Sequence, residues 1–278
     1  MTQSTAVNVA SGSFYLFLRN ILSTAVSIPT FGLITRWITK EEMGVWVVMQ
    51  VAVGVIILFS NFGLSEACTK FIAESKGRKE RSSDIVSITL GVTAGTSAAL
   101  AIISFLLSTN ISLLFLKDSA YASLFQLLSV TIFLEGMMLS LNGILLGQQR
   151  ILELSVLGVV SFSLSRFVAI VLLYLQLGLT GIVIGWILGD LSYCVAGLIL
   201  TLKGARSREH LMNTSWSSLK KLLGFSWPLF LKGIVAFSYG WFDRILLLAY
   251  FSLENLAVYN VAYTIFMILW SIPEVIST

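Results

Sequence analysis

Seven ionisable side chains sit where their surroundings make ionisation costly. Arg19, Glu135, Arg166, Asp190, Lys232, Asp243 and Arg244 all lie inside long apolar stretches. A charge in hydrocarbon is expensive, so each is a candidate for contact with a polar substrate, an ion or another charge. Arg19 lies about six residues and Lys232 about eight into their stretches, roughly 9 and 12 Å. A cation at that depth either meets an anionic group or snorkels to the nearer interface. Counted from the ends of their stretches, Glu135, Arg166 and Asp190 share one level near the middle of the membrane. They are expected to form a polar network with Arg166 between the two carboxylates. Such a network either fixes helix packing or holds a proton or cation. Asp243 and Arg244 fall toward the outer third of their stretch, as an outer gate candidate or an interfacial charge pair.

No pattern for catalysis accompanies these groups. There is no Asp-x-Asp, no phosphate-cradling glycine loop and no metal-ligand spacing, and the single histidine, His210, lies in a basic loop. A membrane-embedded glycosyltransferase or polymerase would need an acid/base or metal constellation at the water interface. No catalytic residue, metal or cofactor is therefore expected. Cys68 and Cys194 lie in or at the end of apolar segments and read as small packing residues.

The elements that must carry these charges are membrane helices. Of 278 residues 56% are hydrophobic and 12% charged, half the charge of a typical soluble domain. The apolar runs are continuous rather than alternating, so they read as helices and not as barrel strands. The sequence predicts an all-α polytopic bundle of eight spans at 13–35, 43–64, 84–108, 121–147, 152–175, 179–202, 224–250 and 256–276. Lys and Arg fix the orientation. With the N-terminus inside, the inner loops hold Lys70, Lys76, Arg78, Lys79, Arg81, Arg150, Lys203, Arg206, Arg208, Lys220 and Lys221, and the outer loops only Arg36, Lys40 and Lys117. That asymmetry places the N-terminus in the cytoplasm of a cell-membrane protein. It also makes the net charge of +4 a matter of topology rather than nucleic-acid binding. Gly54, Gly91, Gly95, Gly181, Gly185 and Gly189 are expected to allow close helix approach.

An internal repeat organises the spans. Shifted by 213 residues, Ser13, Leu16, Phe17 and Leu18 fall on Ser226, Leu229, Phe230 and Leu231, and Arg19 falls on Lys232. In the same register the turn Thr39-Lys40-Glu41-Glu42-Met43-Gly44-Val45-Trp46 falls on Ser252-Leu253-Glu254-Asn255-Leu256-Ala257-Val258-Tyr259. Thr39 and Ser252 are placed to cap the helix that follows, with Glu42 completing a capping box in the first copy. The expected organisation is a six-helix lobe over 1–205, a cytoplasmic amphipathic linker over 206–223, and the first two helices of an incomplete second lobe over 224–278.

At these residues the chain resembles the Wzx-type polysaccharide flippases of the multidrug/oligosaccharidyl-lipid/polysaccharide exporter superfamily. The elbow from Thr39 to Trp46 is similar to that family's outer turn. Asn61-Phe62-Gly63-Leu64-Ser65-Glu66-Ala67 resembles the end of its second span, and Gly147-Gln148-Gln149-Arg150 its inner turn after the fourth. Phe225-Ser226-Trp227-Pro228-Leu229, Asp243-Arg244 and Val258-Tyr259-Asn260-Val261-Ala262-Tyr263 resemble its seventh and eighth spans. Met43 and Ala257 depart from the usual aromatic and glycine, and the chain is shorter than two six-helix lobes. The resemblance implies export of a lipid-linked oligosaccharide by alternating access, with H+ or Na+ as the candidate coupling ion. It also places spans one, two, seven and eight around a central cavity, where Arg19 and Lys232 would suit a pyrophosphate linker. A cation-coupled multidrug exporter of the same superfamily is the alternative, but such a substrate wants carboxylates on the cavity helices that carry Arg19 and Lys232. A non-transporting membrane protein is a further alternative if the chain ends at Thr278.

Overall fold

The computed structural model describes residues 3–77, 83–204 and 216–277, and all regular structure in them is helical. In chain order the helices are α1 (Gln3–Trp37), α2 (Lys40–Asn61), α3 (Leu64–Gly77), α4 (Ser83–Leu106), α5 (Ser108–Leu116), α6 (Ala122–Gly147), α7 (Ile151–Tyr174), α8 (Gly178–Gly204), α9 (Trp216–Tyr250) and α10 (Leu253–Ser277). Among the described residues seven helices are long and apolar enough to cross a membrane. The eighth expected span falls on α10, whose stretch Leu253–Ile268 counts as a shorter apolar helix.

Local chemistry sets the breaks between helices. Thr39 caps α2 through a full capping box: its Oγ1 accepts from the Glu42 amide at 3.1 Å, and the Glu42 carboxylate accepts from the Thr39 amide at 2.8 Å. Before α10, Ser252 Oγ accepts more weakly from the Asn255 amide, at 3.4 Å. The second expected span does not run into a loop. It stops at Phe62 and Gly63, which both take left-handed backbone (φ 47° and 73°), and the Asn61 side chain accepts the Ser65 amide to start α3. A side chain added at Gly63 would strike the backbone of Ser226 and Phe230, so this position needs glycine for both reasons. Helix α3 then buries Leu64, Ala67, Cys68, Phe71 and Ile72, one face of a 3.6-residue period. The third expected span likewise ends at Leu106, and α5 forms a separate short helix.

The inner linker expected at 206–223 divides differently. Residues 205–215 lie outside the described residues, while 216–223 form the first turns of α9 rather than a separate helix.

Helices α2 and α6 form the centre. Helix α6 packs on α2, α3, α4, α5 and α8; α7 packs on α8 and α1; α9 rests on α3 and α2; and α10 rests on α2. Without a hydrophobic force between helices in lipid, small residues and hydroxyl hydrogen bonds hold such a bundle. Gly136 lies against Ser60 and Ser97, Gly143 against the Ser65 backbone and Gly147 against Thr69 and Ile72. Hydroxyl bonds lace the same seam: Ser60 to Ser97 at 2.5 Å, Ser140 to Thr93 at 2.7 Å, Ser65 to the Leu139 carbonyl at 2.7 Å and Thr69 to the Gly143 carbonyl at 2.9 Å. Gly181, Gly185 and Gly189 do the same for α7 on α8, meeting Leu172, Ala169 and Ser165. Gly54 meets the Phe237 ring, whereas Gly91 and Gly95, also expected at contacts, have no neighbour within 4 Å.

Gly189→Leu is therefore expected to lower stability by about 1–3 kcal/mol through overpacking, because the new Cβ would sit 2.5 Å from that of Ser165. Gly91→Leu should leave stability unchanged. Thermal unfolding of the two variants in detergent checks the contrast.

Candidate functional site

Five helices enclose one cavity of about 430 Å³. Helix α1 contributes Arg19, Asn20 and Ser23, α2 contributes Trp46 and Gln50, α6 contributes Glu135, Met138 and Asn142, α7 the face from Gly158 to Ala169, and α8 Ile182, Trp186, Asp190 and Tyr193. Helical spacing explains why these side chains meet. On α8, Trp186 and Tyr193 lie four residues before and three after Asp190; on α6, Asn142 lies seven after Glu135; on α7, Phe162 lies four before Arg166.

The cavity has two ends. At one, Arg19 lies against Gly158, where an added Cβ would stand 2.7 Å from its Nε, and Tyr193 donates its hydroxyl to the Asn142 side-chain oxygen at 2.6 Å. At the other, Trp186 Nε1 donates to the Glu135 carboxylate at 2.9 Å and its ring meets Trp46 edge to face, with centroids 5.2 Å apart. Between them Ser192 donates to Ser161, and Asp190 is only 8% exposed.

The structure thus brings Arg19 together with Glu135, Arg166 and Asp190. The three network residues share the cavity, but Arg166 does not bridge the carboxylates: among the described residues it makes no ion pair within 4 Å. Its guanidinium lies 5.0 Å from the Phe162 ring centroid. Among the described residues no group of three His, Cys, Asp or Glu is placed to hold a metal ion.

Lys232 stands apart from this cavity. Its ammonium donates to both oxygens of Glu66 on α3, at 3.1 and 3.2 Å, on the seam where α9 crosses the α2–α3 break. Phe62 stacks on Phe230 there at 4.3 Å, with Trp227 beside both. Lys70 caps the Phe225 ring at 3.8 Å. Asp243 and Arg244 clamp α9 to α10. Arg244 is 5% exposed; it donates to the Gly240 carbonyl at 2.6 Å and to the Asn260 oxygen at 3.1 Å, and lies 3.6 Å from Asp243. Its guanidinium is sandwiched between the rings of Trp241 and Tyr263, while the Tyr259 hydroxyl donates to Asp243.

A family model described as "Polysaccharide biosynthesis protein" matches residues 9–278. The chain belongs to this family. No curated protein matches it. The fold of this polysaccharide biosynthesis family chain is similar to that of two solved transporters. It is similar to a MOP superfamily transporter from Pyrococcus furiosus Vc1 (DSM3638), with a TM-score of 0.59 at 18% identity, over 92% of this chain and 60% of that one. It is also similar to an outward-facing multidrug resistance MATE family transporter of the MOP superfamily, with a TM-score of 0.53 at 17% identity, over 94% of this chain and 60% of that one. The chain therefore spans about 60% of the length of either structure.

The neutral groups of this family member's cavity, Trp46, Gln50, Asn142, Trp186 and Tyr193, carry no intramembrane charge to single them out in the sequence. Helical spacing from Glu135 points to Asn142 and spacing from Asp190 to Trp186 and Tyr193, whereas Trp46 and Gln50 on α2 have no intramembrane charge on their own helix to point to them. Glu66, the partner of Lys232, is not singled out by the sequence, because the basic residues that follow it give its segment the character of an inner loop.

Arg244→Ala would leave the Asn260 oxygen without its donor and Asp243 without its charge partner at the α9–α10 contact, with only the Tyr259 hydroxyl and the backbone amide still donating to the carboxylate. It should cost about 1.5–3 kcal/mol, read as a lowered unfolding temperature in detergent, with Arg244→Lys intermediate because a lysine cannot fill the sandwich between two rings.

Proposed function

We propose that this chain moves a lipid-linked oligosaccharide, a polysaccharide precursor, across the cell membrane by alternating access. The observation that carries the reading is the composition of the cavity within the helix bundle. It sets guanidinium groups beside side-chain amides and indole rings, which suits an anionic sugar headgroup: guanidinium grips phosphate in a bidentate manner, amides pair with hydroxyls, and rings cover sugar faces. Membership of the polysaccharide biosynthesis family supports the same substrate class.

In this reading residues 1–205 form one lobe with a cytoplasmic N-terminus, 206–223 link it to the second, and 224–278 begin the second lobe. The Thr39 and Ser252 elbows are the repeat's matching turns. Arg19 on α1 and Lys232 on α9 are the phosphate-binding cations, and Glu66 keeps Lys232 at the α3–α9 seam until the headgroup competes for it. H+ or Na+ is the coupling ion, and Asp243 with Arg244 closes the outer side. A cation-coupled drug exporter is the second reading. Glu135 and Asp190 in the cavity favour it, and the two guanidiniums facing the same space oppose it.

Complementation of glycan export in cells lacking their own flippase tests the proposal. Arg19→Ala and Lys232→Ala should each reduce export at least about tenfold, the effect of losing one charged contact of about 1.4 kcal/mol, with protein levels in the membrane unchanged. Unchanged export in both variants contradicts the assignment, and resistance to a cationic dye conferred by the unsubstituted protein would favour the second reading.

A further inference from the structure

The cavity offers charges of both signs that the protein itself leaves unmatched. Asp190 is 8% exposed, and its Oδ2 is buried with no hydrogen-bond donor. Glu135, the other carboxylate, receives the Trp186 indole N–H. Arg19 and Arg166 make no ion pair within 4 Å among the described residues. A buried carboxylate oxygen that lacks a donor either takes up a proton or is met by a cation, and only the cation keeps the carboxylate ionised. A hydroxyl would supply one hydrogen bond and leave the charge uncompensated. An ammonium supplies both.

We infer that the headgroup recognised in this cavity is zwitterionic: a sugar phosphate whose first sugar carries a free amine, with the phosphate at Arg19 and the ammonium at Asp190. This rests on the sugar-phosphate reading above and names its substrate class. The spacing along the helices agrees. Arg19 lies at the level of Gly158 on α7. The α8 residues flanking Asp190 meet α7 at Ser161 and Ser165, Gly189 by packing and Ser192 by its hydrogen bond. Asp190 is therefore one to two helical turns deeper than Arg19, roughly 5–10 Å. An amino sugar phosphate spans this interval once the hydrogen-bond reach to the Arg19 guanidinium and the Asp190 carboxylate is added at either end. Tyr193 and Asn142, bonded to each other on the intervening wall, are placed to meet the ring hydroxyls.

The test is binding to the protein reconstituted in lipid nanodiscs, read by quenching of tryptophan fluorescence, since Trp46 and Trp186 line the cavity. The probes are glucosamine 1-phosphate, N-acetylglucosamine 1-phosphate and glucose 1-phosphate, each with and without sodium. Glucosamine 1-phosphate should bind about tenfold more tightly than the other two, one buried charge pair's worth of preference. Asp190→Asn, which keeps the side chain's shape, should erase that preference and bring glucosamine 1-phosphate to the affinity of the other two sugars. Arg19→Ala should weaken all three sugars alike. Equal binding of the three by the unsubstituted protein, a preference that survives Asp190→Asn, or a sodium requirement in place of the amine would overturn the inference and leave the sugar-phosphate reading standing. Failure of every sugar phosphate to bind would overturn both.

Discussion

Hydrocarbon has no water to offer a charge, and the arrangement of this bundle follows from that constraint. Every ionisable side chain within the spans must find a partner in the protein or face an aqueous cavity. Arg244 takes the first course. Carbonyl, amide, carboxylate and two aromatic rings surround it, and it ties α9 to α10. Lys232 takes it too, through Glu66 at the seam. Arg19, Arg166, Glu135 and Asp190 take the second. Four helices contribute these four charges to one space of about 430 Å³, and α2 closes it with Trp46 and Gln50. The difference separates Arg244, which holds the bundle, from the cavity charges, which are open to something entering it; Lys232 lies between the two, in an exposed pair with Glu66.

Such a cavity survives only if the helices around it are held elsewhere. Small residues do this. Gly181, Gly185 and Gly189 bring α8 against α7, and Gly136, Gly143 and Gly147 bring α6 against the α2–α4 side. The close approach lets serine and threonine hydroxyls reach across helices, so hydrogen bonds lace the packing seams, although Thr131 and Ser155 bury hydroxyls without a partner among the described residues. The large side chains Trp186, Tyr193, Phe162 and Met138 project instead into the cavity. Glycine on one face of α8 and aromatic rings on another are two sides of the same design: contact where the backbone must approach, and reach where the cavity opens.

The helical spans were largely legible in the sequence because twenty-residue apolar runs have few other uses. Their ends were legible where a cap announces them, as at Thr39 and Glu42. The break at Phe62–Gly63 was not, since left-handed backbone at a phenylalanine leaves little trace, and α3 was hidden behind it despite the regular spacing of Leu64, Ala67, Cys68, Phe71 and Ile72. The charges announced themselves by their cost. Their grouping did not, because depth along a helix is readable from one sequence and the direction a helix faces is not. Arg19 was paired by the repeat with Lys232, whereas the structure sets it in the cavity of Glu135, Arg166 and Asp190 and gives Lys232 to Glu66. Gly91 and Gly95 looked like packing glycines and face open space, because a small residue records only that close approach is permitted.

The central claim is that the headgroup of a lipid-linked oligosaccharide enters the cavity between α1, α2, α6, α7 and α8. A photoreactive amino acid at Gln50, which lines the cavity, and another at Leu106, which is 73% exposed on the outside of the bundle, measure it directly in membranes supplied with a radiolabelled lipid-linked oligosaccharide. The account predicts strong labelling at position 50, suppressed by excess unlabelled substrate, and only weak, unsuppressed labelling at position 106. Labelling that is equal at the two positions, or absent at position 50, would contradict it.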